Sequence, residues 1–141
     1  MNLYAESSAV LAWLLGERRA SDVRRALAGA DVVVASDLTL VECDRVLIRA
    51  AIGDDLAESE AERLRALLNR TATHWSLLRL NGEVIERARR PFPGEPVRTL
   101  DALHLASALV ASAAVEDLVL LSLDERIRAS AAGLGLRLAP A

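Results

Sequence analysis

Lysine is missing from the 141-residue sequence: all 17 basic side chains are arginine. A P-loop lysine, a Schiff-base lysine and the lysine of a phospho-receiver domain are therefore excluded. Cys43 is the only cysteine, which rules out an internal disulfide and any multi-cysteine metal site. No apolar run is long enough to cross a bilayer, and the longest, around Ala102–Val115, is broken by His104 and Ser107. No glycine-rich phosphate loop follows a strand-like run, so a nucleotide-binding fold is a weak reading. The first residues show neither a basic n-region nor a signal-like cleavage site, and with the lone cysteine this predicts an unprocessed, soluble, cytoplasmic protein. Net charge is −3, so a nucleic-acid partner would have to be held by local arginine clusters or a bound cation rather than by overall charge.

What remains is a chain of ordinary globular composition, 52% hydrophobic and 26% charged, at a length that suits one domain, residues 1–141. Short apolar runs alternate with longer helical ones. Strands are predicted at Leu3–Ala5, Val32–Ala35, Trp75–Leu80, Leu118–Leu121 and Leu136–Leu138, with Val32–Ala35 buried on both faces. Helices are predicted at Ser7–Gly16, Ala20–Ala28, Asp37–Ile52, Leu56–Thr73, Gly82–Arg90, Leu100–Ala114 and Asp124–Ala132. Leu40, Cys43, Leu47 and Ala50 form one stripe of the third helix. Leu100–Ala114 is apolar nearly all round, as a central buried helix should be. Pro91-Phe92-Pro93-Gly94-Glu95-Pro96 cannot continue a helix and reads as a loop. This alternation predicts an α/β fold, one parallel sheet covered by helices on both sides.

The acids fall in a pattern. Glu6 and Asp124 follow short apolar strands, Glu42 lies in the first turns of the helix after Val32–Ala35, and Asp101 opens the apolar helix. In a parallel sheet the carboxyl ends of the strands share one edge, where ligands bind. Two readings stay open. Each acid can be a helix-start residue: Thr39 with Glu42 and Ser122 with Glu125 match capping boxes, and Asp101 lies just after Thr99. Alternatively the four meet. Packed carboxylates repel and resist ionising, and a hard divalent cation, Mg²⁺ or Mn²⁺, would relieve them.

At these residues the sequence resembles PIN-domain nucleases, and among them the VapC toxins, over essentially its whole length. The first acidic motif is Leu3-Tyr4-Ala5-Glu6-Ser7-Ser8-Ala9-Val10-Leu11, and the second is Leu40-Val41-Glu42. The third and most specific is Arg98-Thr99-Leu100-Asp101-Ala102-Leu103-His104-Leu105-Ala106, and the last is Leu121-Ser122-Leu123-Asp124-Glu125-Arg126. The resemblance implies a three-layer α/β/α sandwich with a parallel sheet of about five strands. It also implies a Mg²⁺- or Mn²⁺-dependent endoribonuclease, the toxin of a type II toxin–antitoxin pair, with Glu6, Glu42, Asp101 and Asp124 as the catalytic acids. Glu6, Asp101 and Asp124 would ligate the metal, and Ser8 and Ser122 would support the site by hydrogen bonds. Where the family usually has Asp, this chain has Glu6, one methylene longer, which bears on metal geometry.

The expected partners are an RNA substrate, an antitoxin protein and a second copy of the chain. RNA contacts would come from arginine, with Arg98 favoured because it flanks Asp101; Arg18, Arg19, Arg24, Arg25, Arg87, Arg89 and Arg90 are further candidates. Aromatics are 3% of the chain, so recognition by stacking is poorly supplied, and Trp13 and Trp75 read as core. His104, on the same helix face as Asp101, reads as a hydrogen-bonded interior histidine. The helices at 7–16 and 20–28 carry Val10, Leu11, Trp13, Leu14, Leu15, Val23 and Leu27, an apolar surplus that predicts an interface. Two further readings compete: a catalytically impaired PIN-like binding module, with Glu6 having spoiled the site, and an unrelated α/β binding domain whose acids are only caps.

Overall fold

A computed structural model describes residues Met1–Ala141. Five strands, β1 (Asn2–Ala5), β2 (Val32–Ser36), β3 (Ser76–Leu78), β4 (Leu118–Leu121) and β5 (Arg137–Ala139), form one sheet in the order β3-β2-β1-β4-β5. Every pairing is parallel, with Asn2 opposite both Val32 and Leu118. Between strands run α1 (Ser7–Leu15), α2 (Ala20–Ala28), α3 (Asp37–Ile52), α4 (Glu58–Ala72), α5 (Gly82–Ala88), α6 (Thr99–Ala114) and α7 (Glu125–Gly133).

Strand side chains alternate between the two faces, and the core divides accordingly. Tyr4, Val34, Leu118 and Leu120 pack with Val84 of α5, Leu105 and Ala106 of α6 and Ile127 of α7. Leu3, Ala5, Ala35, Val119 and Leu121 point the other way, toward α1, α2, α3 and α4. The small residues Ala102, Ala106, Ala108 and Ala111 let α6 lie close to the sheet, and most of its middle is buried, as predicted. Gly16 ends α1 in the left-handed region, φ +65°, where a side chain would be strained. No helix is long and apolar enough to cross a membrane.

Three expectations need correction. The strand at Val32–Ala35 is not buried along its length, because Val32 at the amino edge is 38% exposed. The strand expected at Trp75–Leu80 shrinks to Ser76–Leu78: it is the sheet edge, and β2 alone pairs with it. The apolar surplus on α1 and α2 is not a free surface. Val10, Leu14 and Val23 are buried, and Leu11, Trp13, Leu15 and Leu27 are partly covered, because α1 sits between the sheet, α2, α3 and α4. The large apolar side chains left exposed lie elsewhere, among them Val41, Ile52, Ile85 and Leu100.

β1 and β4 are neighbours, but the chain leaves them in opposite directions. From β1 it proceeds to β2 and β3 on one side, and from β4 to β5 on the other. Such a reversal opens a crevice at the carboxyl ends of the two strands. Glu6 follows β1 directly, and Asp124 follows β4 by three residues.

Candidate active site

A cavity of about 520 Å³ lies at this edge, lined by Glu42, Asp101, Asp124, Arg98 and Arg126 among others. It adjoins a second, of about 640 Å³, that shares Arg98, Asp101 and Arg126 and runs on beneath Val97, Leu105 and Ala129. Three of the four acids singled out in the sequence thus border one cleft, and the fourth, Glu6, lies outside its lining and is buried, 3% exposed.

Each acid is held differently. Asp124 is the N-cap of α7: its Oδ1 accepts from the amides of Arg126 (2.9 Å) and Ile127 (3.0 Å). The expected Ser122–Glu125 box is therefore not formed; Asp124 takes the capping role, and Ser122 Oγ accepts from the Asp124 amide at 3.1 Å instead. Glu6 caps α1: its Oε2 accepts from the Ser8 amide at 3.0 Å, from the Ser8 hydroxyl, and from the Ser122 hydroxyl at 2.9 Å. The Thr39–Glu42 box also fails. Strand β2 passes straight into α3, so Ser36 is the N-cap, and Thr39, one turn in, directs its hydroxyl to Ala5 O at 3.4 Å. Glu42 Oε1 accepts from Ser7 Oγ at 2.7 Å and also meets His104 Nε2. Asp101 makes no hydrogen bond with the protein, and Arg98, the residue before α6, supplies no side-chain cap.

A common pattern results. In Glu6, Glu42 and Asp124 one carboxylate oxygen is anchored and the other makes no protein hydrogen bond. The free oxygen of Glu6, Oε1, retains solvent contact although the residue is buried.

The charges do not sit comfortably. Burial, then the Asp124 carboxylate, lift the Asp101 carboxyl above its ordinary range; His104 and Arg98 pull it back, and Glu42 adds to the rise. Burial likewise raises Glu6, against the electrostatic pull of His104 and the hydroxyls of Ser8 and Ser122. Burial alone would raise Glu42 too, but its hydrogen bond and electrostatic interaction with His104, helped by Ser7, bring it below its ordinary value. A cleft of mutually repelling hard oxygen donors, with no thiolate and its nearest imidazole already committed, suits Mg²⁺ or Mn²⁺ by chemistry. In placement the donors are neighbours rather than a finished cage: no three His, Cys, Asp or Glu side chains stand close enough to hold one ion as they lie.

Of the arginines, Arg98 and Arg126 are exposed at the cleft. The sequence candidates do not include Arg126; its only signal there is that it lies two residues after Asp124. The other arginines are placed away from the cleft lining. Arg19 and Arg25 pair with Asp22, Arg89 with Glu86, and Arg87 lies over the Phe92 ring at 4.2 Å while bonding the carbonyls of Arg90 and Pro91. Trp13 and Trp75 are half-buried and border a separate cavity of about 440 Å³. The proline loop walls the larger cavity and is tied down. Glu95 accepts from the Phe92 and Val97 amides at 2.8 and 2.6 Å, and Ser130 Oγ donates to Pro93 O at 2.7 Å.

The PIN domain family model matches residues 3–133. No curated protein matches the chain. Solved structures of similar fold include the sarcin-ricin loop cleaving toxin VapC20 of Mycobacterium tuberculosis, 17% identical, with a TM-score of 0.65 over 90% of this chain and 93% of that one. A toxin–antitoxin complex from Klebsiella pneumoniae is 16% identical, TM-score 0.66, covering 99% and 97%. VapBC2 of Rickettsia felis, bound to a DNA fragment from its promoter, is 9% identical, TM-score 0.63, covering 98% and 97%.

Proposed function

Because the chain belongs to the PIN-domain family, we propose that it is a divalent-metal-dependent endoribonuclease and the toxin of a type II toxin–antitoxin pair. The observation that carries this reading is the cleft at the β1/β4 crevice, where Glu42, Asp101 and Asp124 are bordered by Arg98 and Arg126. Fold alone would not distinguish a nuclease from a binding module.

Asp101, Asp124 and the free oxygens of Glu42 and Glu6 are the groups that would hold Mg²⁺ or Mn²⁺. When bound, such an ion supplies positive charge beside a scissile phosphate and acidifies water there. The chain's own residues do the rest. Arg98 and Arg126 attract the RNA backbone and fix its register. Asp101, held by no hydrogen bond, would be free to ligate the ion, whose positive charge would offset the burial and the Asp124 repulsion that raise its carboxyl. No histidine serves as general base: Nε2 of His104 is already directed at Glu42, and His74 is exposed and does not line the cleft. An antitoxin and a second copy of the chain are the proposed partners, in keeping with the toxin–antitoxin complexes of similar fold.

A second reading has one observation behind it. Glu6 is turned inward and its Oε2 takes three hydrogen bonds, which suits an impaired site in a binding module. Cleavage of total cellular RNA by wild type and Asp101→Asn, each with Mg²⁺ and with Mn²⁺, decides. Under the nuclease reading wild type cleaves and Asp101→Asn loses about 100-fold or more, since even the supporting partners of metal ligands are worth about 10–100-fold. Equal cleavage by the two proteins overturns it; no cleavage by either, with intact folding, leaves the binding module.

A further inference from the structure

Ser7, Glu42 and His104 come from three helices and meet behind the cleft. His104 is buried, its side chain 2% exposed, while Glu42 is 26% exposed and borders the cleft. Nε2 of His104 meets Glu42 Oε1 and lies 3.2 Å from Ser7 Oγ, and that hydroxyl donates to the same Oε1. Glu42 Oε2 makes no hydrogen bond with the protein. The other ring nitrogen, Nδ1, is sealed from solvent and has no partner.

The orphaned nitrogen is informative in two ways. First, it selects between the neutral tautomers. A proton on Nδ1 would bury an unpaired N–H donor and leave Nε2 as an acceptor facing a carboxylate oxygen; a proton on Nε2 donates to Glu42 and leaves Nδ1 a bare acceptor. The geometry assigns the proton to Nε2. Second, it argues against His104 as mere filling. The adjoining positions of α6, Leu105, Ala106 and Ala108, are apolar and buried without any unpaired group. An imidazole here carries a standing penalty at Nδ1 that an apolar side chain would not.

We propose that His104 is a positioning residue: with Ser7 it clamps Oε1 of Glu42 and so fixes Oε2 as the oxygen presented to the cleft. This rests on reading the cleft as a cation site. His104 touches neither ion nor substrate and acts through Glu42, as outer partners of metal-binding carboxylates do.

Calorimetric titration with Mn²⁺, thermal melts without metal, and RNA cleavage test it in the full chain. His104→Leu folds, binds Mn²⁺ about 10–100-fold more weakly than wild type, and cleaves RNA correspondingly less. His104→Gln, whose amide nitrogen reaches roughly as far as Nε2, recovers most of the affinity, and the shorter His104→Asn does not. Equal Mn²⁺ affinity in His104→Leu and wild type overturns the proposal, as does a glutamine variant no better than the leucine one. Should the leucine variant fail to fold, the Gln/Asn pair decides: equal affinity in both overturns it. Asp101→Asn in the same titration separates the two claims. If it too binds like wild type, or wild type does not bind, the cation site itself fails. If it weakens while His104→Leu does not, only the positioning role fails.

Discussion

Glu6 shows how much one side chain can be asked to do. Its carboxylate caps α1, gathers the hydroxyls of Ser8 and Ser122, and leaves Oε1 in contact with solvent. Burial raises its carboxyl pKa in the folded state. A raised folded pKa means that the folded protein binds the proton more tightly than the unfolded chain. Stability from this group is therefore fully present below the unfolded value and is lost as pH rises through the folded one. Glu6→Gln keeps an acceptor for Ser8 and Ser122 and removes the charge. It should match wild type near pH 4 and equal or exceed it at pH 7.5. Glu6→Ala strips three donors of their acceptor and should cost about 1–3 kcal/mol at both. Urea melts at the two pH values check both outcomes; an alanine variant as stable as the glutamine one would show that the hydroxyl network contributes little.

Elements decide which acids can be separated from their structural duties. Asp124 caps α7 with Oδ1 and offers only Oδ2 to the cleft. Asparagine keeps the capping oxygen, so Asp124→Asn should melt within a few tenths of a kcal/mol of wild type yet bind Mn²⁺ poorly. Asp124→Ala should also lose about 1 kcal/mol as the cap goes. Melts paired with Mn²⁺ titration test this, and identical stabilities of the two variants would argue that α7 needs no cap. Long periodic or wholly apolar elements are legible in the chain itself: α3, α6 and β4 follow directly from spacing and composition, since one buried face or continuous burial leaves its mark on the residue pattern. Caps are less legible. Ser36 and Asp124 displace the boxes expected around Thr39 and Ser122, because the choice of cap depends on where a strand releases the chain. Glu42, Asp101 and Asp124 stand out by their place after strands or at a helix start. The link between Ser7, Glu42 and His104 does not, since it joins three segments far apart in sequence and no local pattern records it.

For the whole molecule, a cation bound in the cleft would couple stability to metal and proton together. Metal ligands must be deprotonated, and both Asp101 and Glu6 hold their protons more tightly than ordinary carboxyls do. Mn²⁺ at about 100 times its dissociation constant should add about 2.7 kcal/mol, or several degrees in melting temperature for a chain of this size. That gain should shrink at pH 5 relative to pH 7.5, because protons then compete for the same oxygens. Differential scanning fluorimetry with and without Mn²⁺ at both pH values measures it, and a gain that is absent, or larger at pH 5, contradicts the cation site. The sheet order has a consequence of its own. β1 occupies the middle of the sheet, yet one of its two neighbours, β4, is made only after α6, with Asn2 paired to Leu118. While the ribosome is still working, β1 has an open flank and the crevice lacks one wall. Contacts of such long sequence separation close last. A nascent chain therefore cannot assemble the Asp124 side of the cleft until β4 has emerged.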